Sequence, residues 1–92
     1  MPDQAPRWQV IFERQAEKVL RRLPRDLLRR LDAEILGLAA NPWPAGCIKL
    51  KGHTDLFRTR VGDWRITYAV KEDKLIILVT EIAPRGGAYK KL

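Results

Sequence analysis

Residues 56–68 read LFRTRVGDWRITY, and the fold follows from how this run is folded back on itself. Gly62-Asp63 suits a two-residue hairpin loop, because glycine adopts positive φ without steric penalty. With those two residues as the loop, Val61 faces Trp64, Arg60 faces Arg65, Thr59 faces Ile66, Arg58 faces Thr67 and Phe57 faces Tyr68. Side chains alternate along a strand. One face therefore gathers Phe57, Thr59, Val61, Trp64, Ile66 and Tyr68, and the other Arg58, Arg60, Arg65 and Thr67. Like charges directly opposite on a sheet are destabilising. Arg60 against Arg65 has no rationale in folding alone and points to a polyanionic ligand. Guanidinium forks match phosphate geometry and stay charged at any working pH.

Working outward, Leu75–Ile82 (LIILVTEI) is apolar nearly throughout and reads as a strand buried on both faces. Glu72-Asp73 is the turn before it. Upstream, Cys47–Leu50 is a short strand, and residues 41–46 (NPWPAG) form a loop with two prolines and a glycine. Leu27, Leu28, Leu31, Ile35 and Leu38 repeat at helical spacing, which predicts a helix from about Arg25 to Ala40. Pro24 separates it from an earlier helix whose stripe is Phe12, Ala16, Val19, Leu20 and Leu23. Trp8–Phe12 fits an opening strand.

The order β-α-α-β-β-β, with helices segregated from a run of strands, predicts an α+β fold. Two N-terminal helices would pack on one face of a small, twisted, mainly antiparallel sheet. The chain of 92 residues is expected to be one domain, with residues 1–6 a loose tail and residues 84–92 a functional C-terminal tail.

The formal charge is +7. Residues 1–46 hold eight Lys/Arg against six Asp/Glu, and residues 47–92 hold ten against five, so most of the excess lies in the sheet half. That balance favours nucleic acid or an acidic protein partner. The single cysteine, Cys47, excludes an internal disulfide and a cysteine-based zinc site. No run approaches a secretion signal or the roughly 20 apolar residues that span a bilayer, so a cytoplasmic protein with no membrane partner is expected.

Conventional catalytic signals are sparse. His53 is the one histidine and reads as a turn residue. Glu81 reads as half of an edge salt bridge or as polar lining near the end of the last strand. The helical arginines Arg14, Arg21, Arg22, Arg25, Arg29 and Arg30 read as a solvated face, with Glu17–Arg21 and Asp26–Arg30 spaced for pairing. Lys49 and Lys51, alternating with Ile48 and Leu50, either extend the basic surface or blunt a sheet edge.

Taken in order, these pieces resemble the RelE/ParE superfamily of toxins from type II toxin–antitoxin systems. The similarity runs from Trp8 to Tyr89. It comprises Lys18–Pro24, Leu38–Pro42, Lys49-Leu50-Lys51-Gly52, the hairpin Phe57–Tyr68, and Ile82-Ala83-Pro84-Arg85 with Tyr89. The resemblance implies the RelE branch, whose members cut mRNA in the ribosomal A site without metal or other cofactor by activating the 2′-hydroxyl. Arg58 and Arg60 match the basic positions on the hairpin's first strand, Arg65 that on the second, and Arg85 and Tyr89 the C-terminal pair. These five are the expected catalytic residues, and Lys49, Lys51, Lys90 and Lys91 the expected nucleic-acid contacts.

The implied partners are a RelB-like acidic antitoxin, mRNA and the ribosome. The implied alternatives are a ParE-like DNA gyrase inhibitor of the same fold, or a catalytically inactive binding module. Where relatives carry lysine the chain has Arg58 and Arg60, and where they carry histidine before the C-terminal arginine it has Pro84. Arginine does not release its proton in practice. The base for the 2′-hydroxyl is therefore open at this point.

Overall fold

The computed structural model describes residues 8–84. In chain order they form strand β1 (Gln9–Phe12), helices α1 (Arg14–Arg22) and α2 (Arg25–Ala40), then strands β2 (Ile48–Lys49), β3 (Leu56–Val61), β4 (Trp64–Lys71) and β5 (Ile76–Pro84). The strands lie in one sheet in the order β1-β5-β4-β3-β2. β1 runs parallel to β5, and the other three pairings are antiparallel. This is the expected α+β arrangement.

The helices begin and end where backbone chemistry requires. Phe12 stays in β1 rather than opening α1, because the next amide, Glu13 N–H, donates to the Val79 carbonyl at 2.9 Å. The helix starts only with Glu17 N–H donating to Glu13 O. Pro24, which has no N–H to offer, stands just before α2. α2 stops at Ala40, and the Asn41 side chain accepts from the Trp43 amide at 3.1 Å, turning the chain.

The core lies between the helices and one face of the sheet. Ala16 from α1 and Leu31, Ile35 and Leu38 from α2 meet Ile66, Tyr68 and Val70 from β4 and Ile77, Val79 and Ile82 from β5. Burying each larger aliphatic side chain contributes on the order of 1.5–3 kcal/mol, so this cluster holds the layers together. Polar groups that enter the layer are matched. Thr59 is buried, and its hydroxyl donates to the Glu34 carboxylate on α2 at 3.0 Å. The Tyr68 hydroxyl donates to the Pro42 carbonyl at 2.7 Å. Trp8, Trp43, Phe57 and Tyr68 form a continuous aromatic row with centroid spacings of 5.9, 6.4 and 6.1 Å, which fastens the loop after α2 to the sheet.

β5 departs from the expectation of a strand buried on both faces. Ile77, Val79 and Ile82 are buried, but Ile76 and Leu78 on the opposite face are half-buried. Both helices lie on the core side, so nothing comparable covers the other side among the described residues. Leu75 lies outside the strand with φ 56°, in the turn where Lys74 and Leu75 donate to Lys71 and Glu72. At its other end β5 continues through Pro84.

Candidate nucleic-acid interface

The hairpin register matches the expectation pair for pair. Arg58 lies opposite Thr67, Arg60 opposite Arg65, and Val61 opposite Trp64. Phe57, Val61 and Trp64 pack against the core, so the arginine face is the one turned away from the helices. Arg60 is exposed, while Arg58 and Arg65 are half-buried. Two buried polar atoms on this face, Arg58 Nε and Thr67 Oγ1, have no hydrogen-bond partner among the described residues. Buried polar groups are nearly always satisfied, and leaving one bare costs about 1–3 kcal/mol.

A β-bulge adds a residue to this face. Thr67 pairs with Glu81, yet Tyr68 pairs with Val79, so Thr80 is extra, and its hydroxyl donates to the Thr67 carbonyl at 3.2 Å. Ile77 and Val79 point into the core, and unbroken alternation would send Glu81 there too. The bulge slips the phase by one residue. Ile82 takes the buried position instead, and Glu81 emerges exposed on the arginine face, opposite Thr67. The edge of β5 beyond β1 is satisfied by Gln15 of α1, whose side-chain amide donates to Ile82 O at 3.5 Å and accepts from Ile82 N at 3.3 Å.

The lysines behave differently. Lys49 pairs with Phe57, which puts it on the helix-side face of the sheet, away from the arginines. Ile48, opposite Arg58, takes the place beside the cluster and is 54% exposed. The cause is the two-residue strand period, which lets only one of Ile48 and Lys49 share the face of Arg58. Lys51 is exposed in the turn after β2, and His53 is exposed in the loop that follows. Arg85, Tyr89, Lys90 and Lys91 lie outside the described residues.

The helical arginines are exposed on the opposite side of the sheet. Arg21 pairs with Glu17 at 3.3 Å as its spacing suggested. Arg30 instead reaches the hairpin turn, where a Cβ on Gly62 would lie 2.8 Å from its Nη2.

A cleft of about 780 Å³ opens at the other end of the same sheet, floored by Ile11, Ile76 and Leu78 and rimmed by Asp55 and Lys71. Lys71 Nζ donates to Asp55 Oδ2 at 2.8 Å, which lowers the Asp55 pKa and raises that of Lys71. Lys71 lies six positions along β4 from Arg65, roughly 20 Å of strand. The cleft and the arginine cluster are therefore distinct regions.

Comparisons with known proteins bear on this arrangement. Residues 10–89 match the sequence model of a family described as the ParE toxin of the type II toxin–antitoxin system parDE. RelE1 of Methanocaldococcus jannaschii, a toxin candidate by its curated name, is 33% identical over 87 residues, covering 91% of this chain and 97% of that protein. The crystal structure of an archaeal RelE–RelB complex from Pyrococcus horikoshii superposes with a TM-score of 0.78 at 33% identity, over 89% of this chain and 99% of that one. Isolated RelE of E. coli superposes with a TM-score of 0.77 at 19% identity, over 89% of this chain and 88% of that one, a likeness of fold. With its two helices over a five-stranded sheet and an arginine-bearing hairpin, the chain belongs to the RelE/ParE superfamily and is a RelE-like toxin of a type II toxin–antitoxin system.

Proposed function

We propose that the protein is a ribosome-dependent, metal-independent mRNA endoribonuclease that halts translation in the cytoplasm. The observation that carries this reading is the gathering of the Arg58, Arg60 and Arg65 guanidinium groups on the sheet face opposite the helices, where Glu81 is the one acid among the described residues. Cleavage by the 2′-oxygen builds negative charge on phosphorus, and fixed cations stabilise it best when no reorganisation is needed. Strands β3 and β4 supply that fixity. Arg85 is assigned to the same phosphate, and Tyr89 to base stacking or proton transfer, on the resemblance of the C-terminal motif.

The partner is proposed to be an acidic, RelB-like antitoxin. The similar Pyrococcus structure is a RelE–RelB complex, and the positive field that attracts RNA also attracts an acidic peptide. Mapping of mRNA 5′ ends in a translating extract tests the enzymatic reading. Wild-type protein is expected to produce breaks within the A-site codon, and Arg65→Ala to reduce them 100-fold or more, the loss typical of one charge-stabilising group (about 10²–10³). Unchanged cutting by Arg65→Ala would remove the site assignment.

The family description also names ParE, which keeps gyrase inhibition as the second reading. A supercoiling assay that responds to the protein while mRNA stays intact would establish it instead.

A further inference from the structure

The geometry points to Glu81 as the general base that takes the 2′-hydroxyl proton, an assignment that rests on the cleavage reading above. Three observations meet at this residue. The bulge at Thr80 turns its side chain from the core phase to the arginine face. Its register partner is Thr67, whose hydroxyl is buried without a hydrogen-bond partner among the described residues and is itself paired with Arg58. Glu81 is exposed, and its carboxylate takes part in no hydrogen bond or ion pair among the described residues, so it is not the half of an edge salt bridge that its position suggested.

Among the described residues, the other charged side chains gathered here are arginines. Arginine holds its proton under all working conditions, whereas a carboxylate accepts one. The other acids of the sheet half lie elsewhere. Asp63 sits in the hairpin turn beyond the Val61–Trp64 pair. Asp55 is engaged by Lys71, and Glu72 and Asp73 lie in the turn after β4. Arg58 on β3 and Glu81 on β5 flank Thr67 across about 10 Å of sheet, two strand spacings. In the proposed pose the scissile phosphate faces Arg58 and Arg65 and the 2′-hydroxyl faces Glu81.

In the step, the Glu81 carboxylate removes the 2′-hydroxyl proton as the 2′-oxygen forms its bond to phosphorus. The bond from phosphorus to the 5′-oxygen breaks. The leaving 5′-oxygen takes a proton from water, and the hydroxide so formed takes the proton held by Glu81. The products are a 2′,3′-cyclic phosphate and a 5′-hydroxyl, with no net change in charge or oxidation state. Bulges re-aim side chains at active sites, and this one turns Glu81 at the cost of a ladder irregularity in β5.

Single-turnover cleavage of A-site mRNA on programmed ribosomes tests the assignment, with wild type, Glu81→Gln, Glu81→Asp and Arg65→Ala compared. Positioned general bases contribute roughly 10²–10⁴-fold. Glu81→Gln is expected to slow the cleavage step by about 100-fold or more with its half-saturating concentration on ribosomes unchanged, and Glu81→Asp to recover part of the rate. Because the side chain is exposed, the thermal melt of Glu81→Gln should match wild type. If Glu81→Gln cuts at the wild-type rate, or only its half-saturating concentration rises, Glu81 is not the base. Impaired cutting by Arg65→Ala in that experiment would leave the functional reading standing. If wild-type protein leaves the message whole, the reading and the assignment fall together.

Discussion

Arg60 stands directly opposite Arg65 across the β3–β4 hairpin, on the face away from the helices. Cross-strand pairs shift stability by roughly 0.2–1 kcal/mol, and like charges push in the unfavourable direction. Arg60→Thr is therefore expected to raise the unfolding free energy measured in urea by a few tenths of a kcal/mol to about 1, while lowering cleavage of ribosome-bound message. A variant both less stable and fully active would contradict the placement of these two side chains on a shared ligand-binding face.

Tyr68 provides a second expectation. Its hydroxyl is buried against the Pro42 carbonyl, and Tyr68→Phe leaves that carbonyl bare. The loss should be about 1–3 kcal/mol in chemical denaturation. Burial also pushes the Tyr68 phenol above its ordinary value. In the unfolded chain the phenol ionises near pH 10, before the folded one does. Stability is thus intact at neutral pH and falls as pH climbs above about 10. That part of the alkaline slope should vanish in Tyr68→Phe.

The hairpin turn is the third. Gly62 has φ +59°, and a Cβ there would meet the Arg30 guanidinium at 2.8 Å. Gly62→Ala should cost about 1–2 kcal/mol for the left-handed backbone alone. The guanidinium is the far end of a flexible side chain and can move. Measured in an Arg30→Ala background, the penalty should therefore fall only slightly.

Leu75 is the fourth. It holds φ 56° without being glycine, and its carbonyl is locked by a 2.9 Å bond from the Gln9 amide of β1. Relief of about 1–2 kcal/mol of left-handed strain is set against roughly 0.5–1 kcal/mol of glycine entropy and the lost burial of a residue that is 45% exposed. Leu75→Gly should accordingly unfold close to wild type, and Leu75→Ala, which keeps the strain and loses the burial, at a lower temperature than Leu75→Gly.

Much of the fold is legible in the residue order. The hairpin register, the limits of α2 and the α+β segregation all follow from short-range rules: strand alternation, helical spacing, and the behaviour of Gly62 and Pro24. The arginine face follows from the same alternation. The bulge was harder to see. Its one sign in the sequence is Glu81 in phase with the buried Ile77 and Val79, with Ile82 one position late; a carboxylate does not enter such a core unpaired. The face occupied by Lys49 was likewise hidden, because a two-residue strand carries too little pattern to set its own register, and pairing with Phe57 sets it.

The sequence by itself determined the local conformations and the gathering of Arg58, Arg60 and Arg65, since alternation about one turn needs no knowledge of distant residues. Only the tertiary structure decided that β1 lies parallel beside β5, that Gln15 completes the β5 edge, and that Glu81 rather than Lys49 shares the arginine face. Those outcomes depend on which strands pair and in what phase, and the hydrogen-bond ladder and the shape of the core resolve them together.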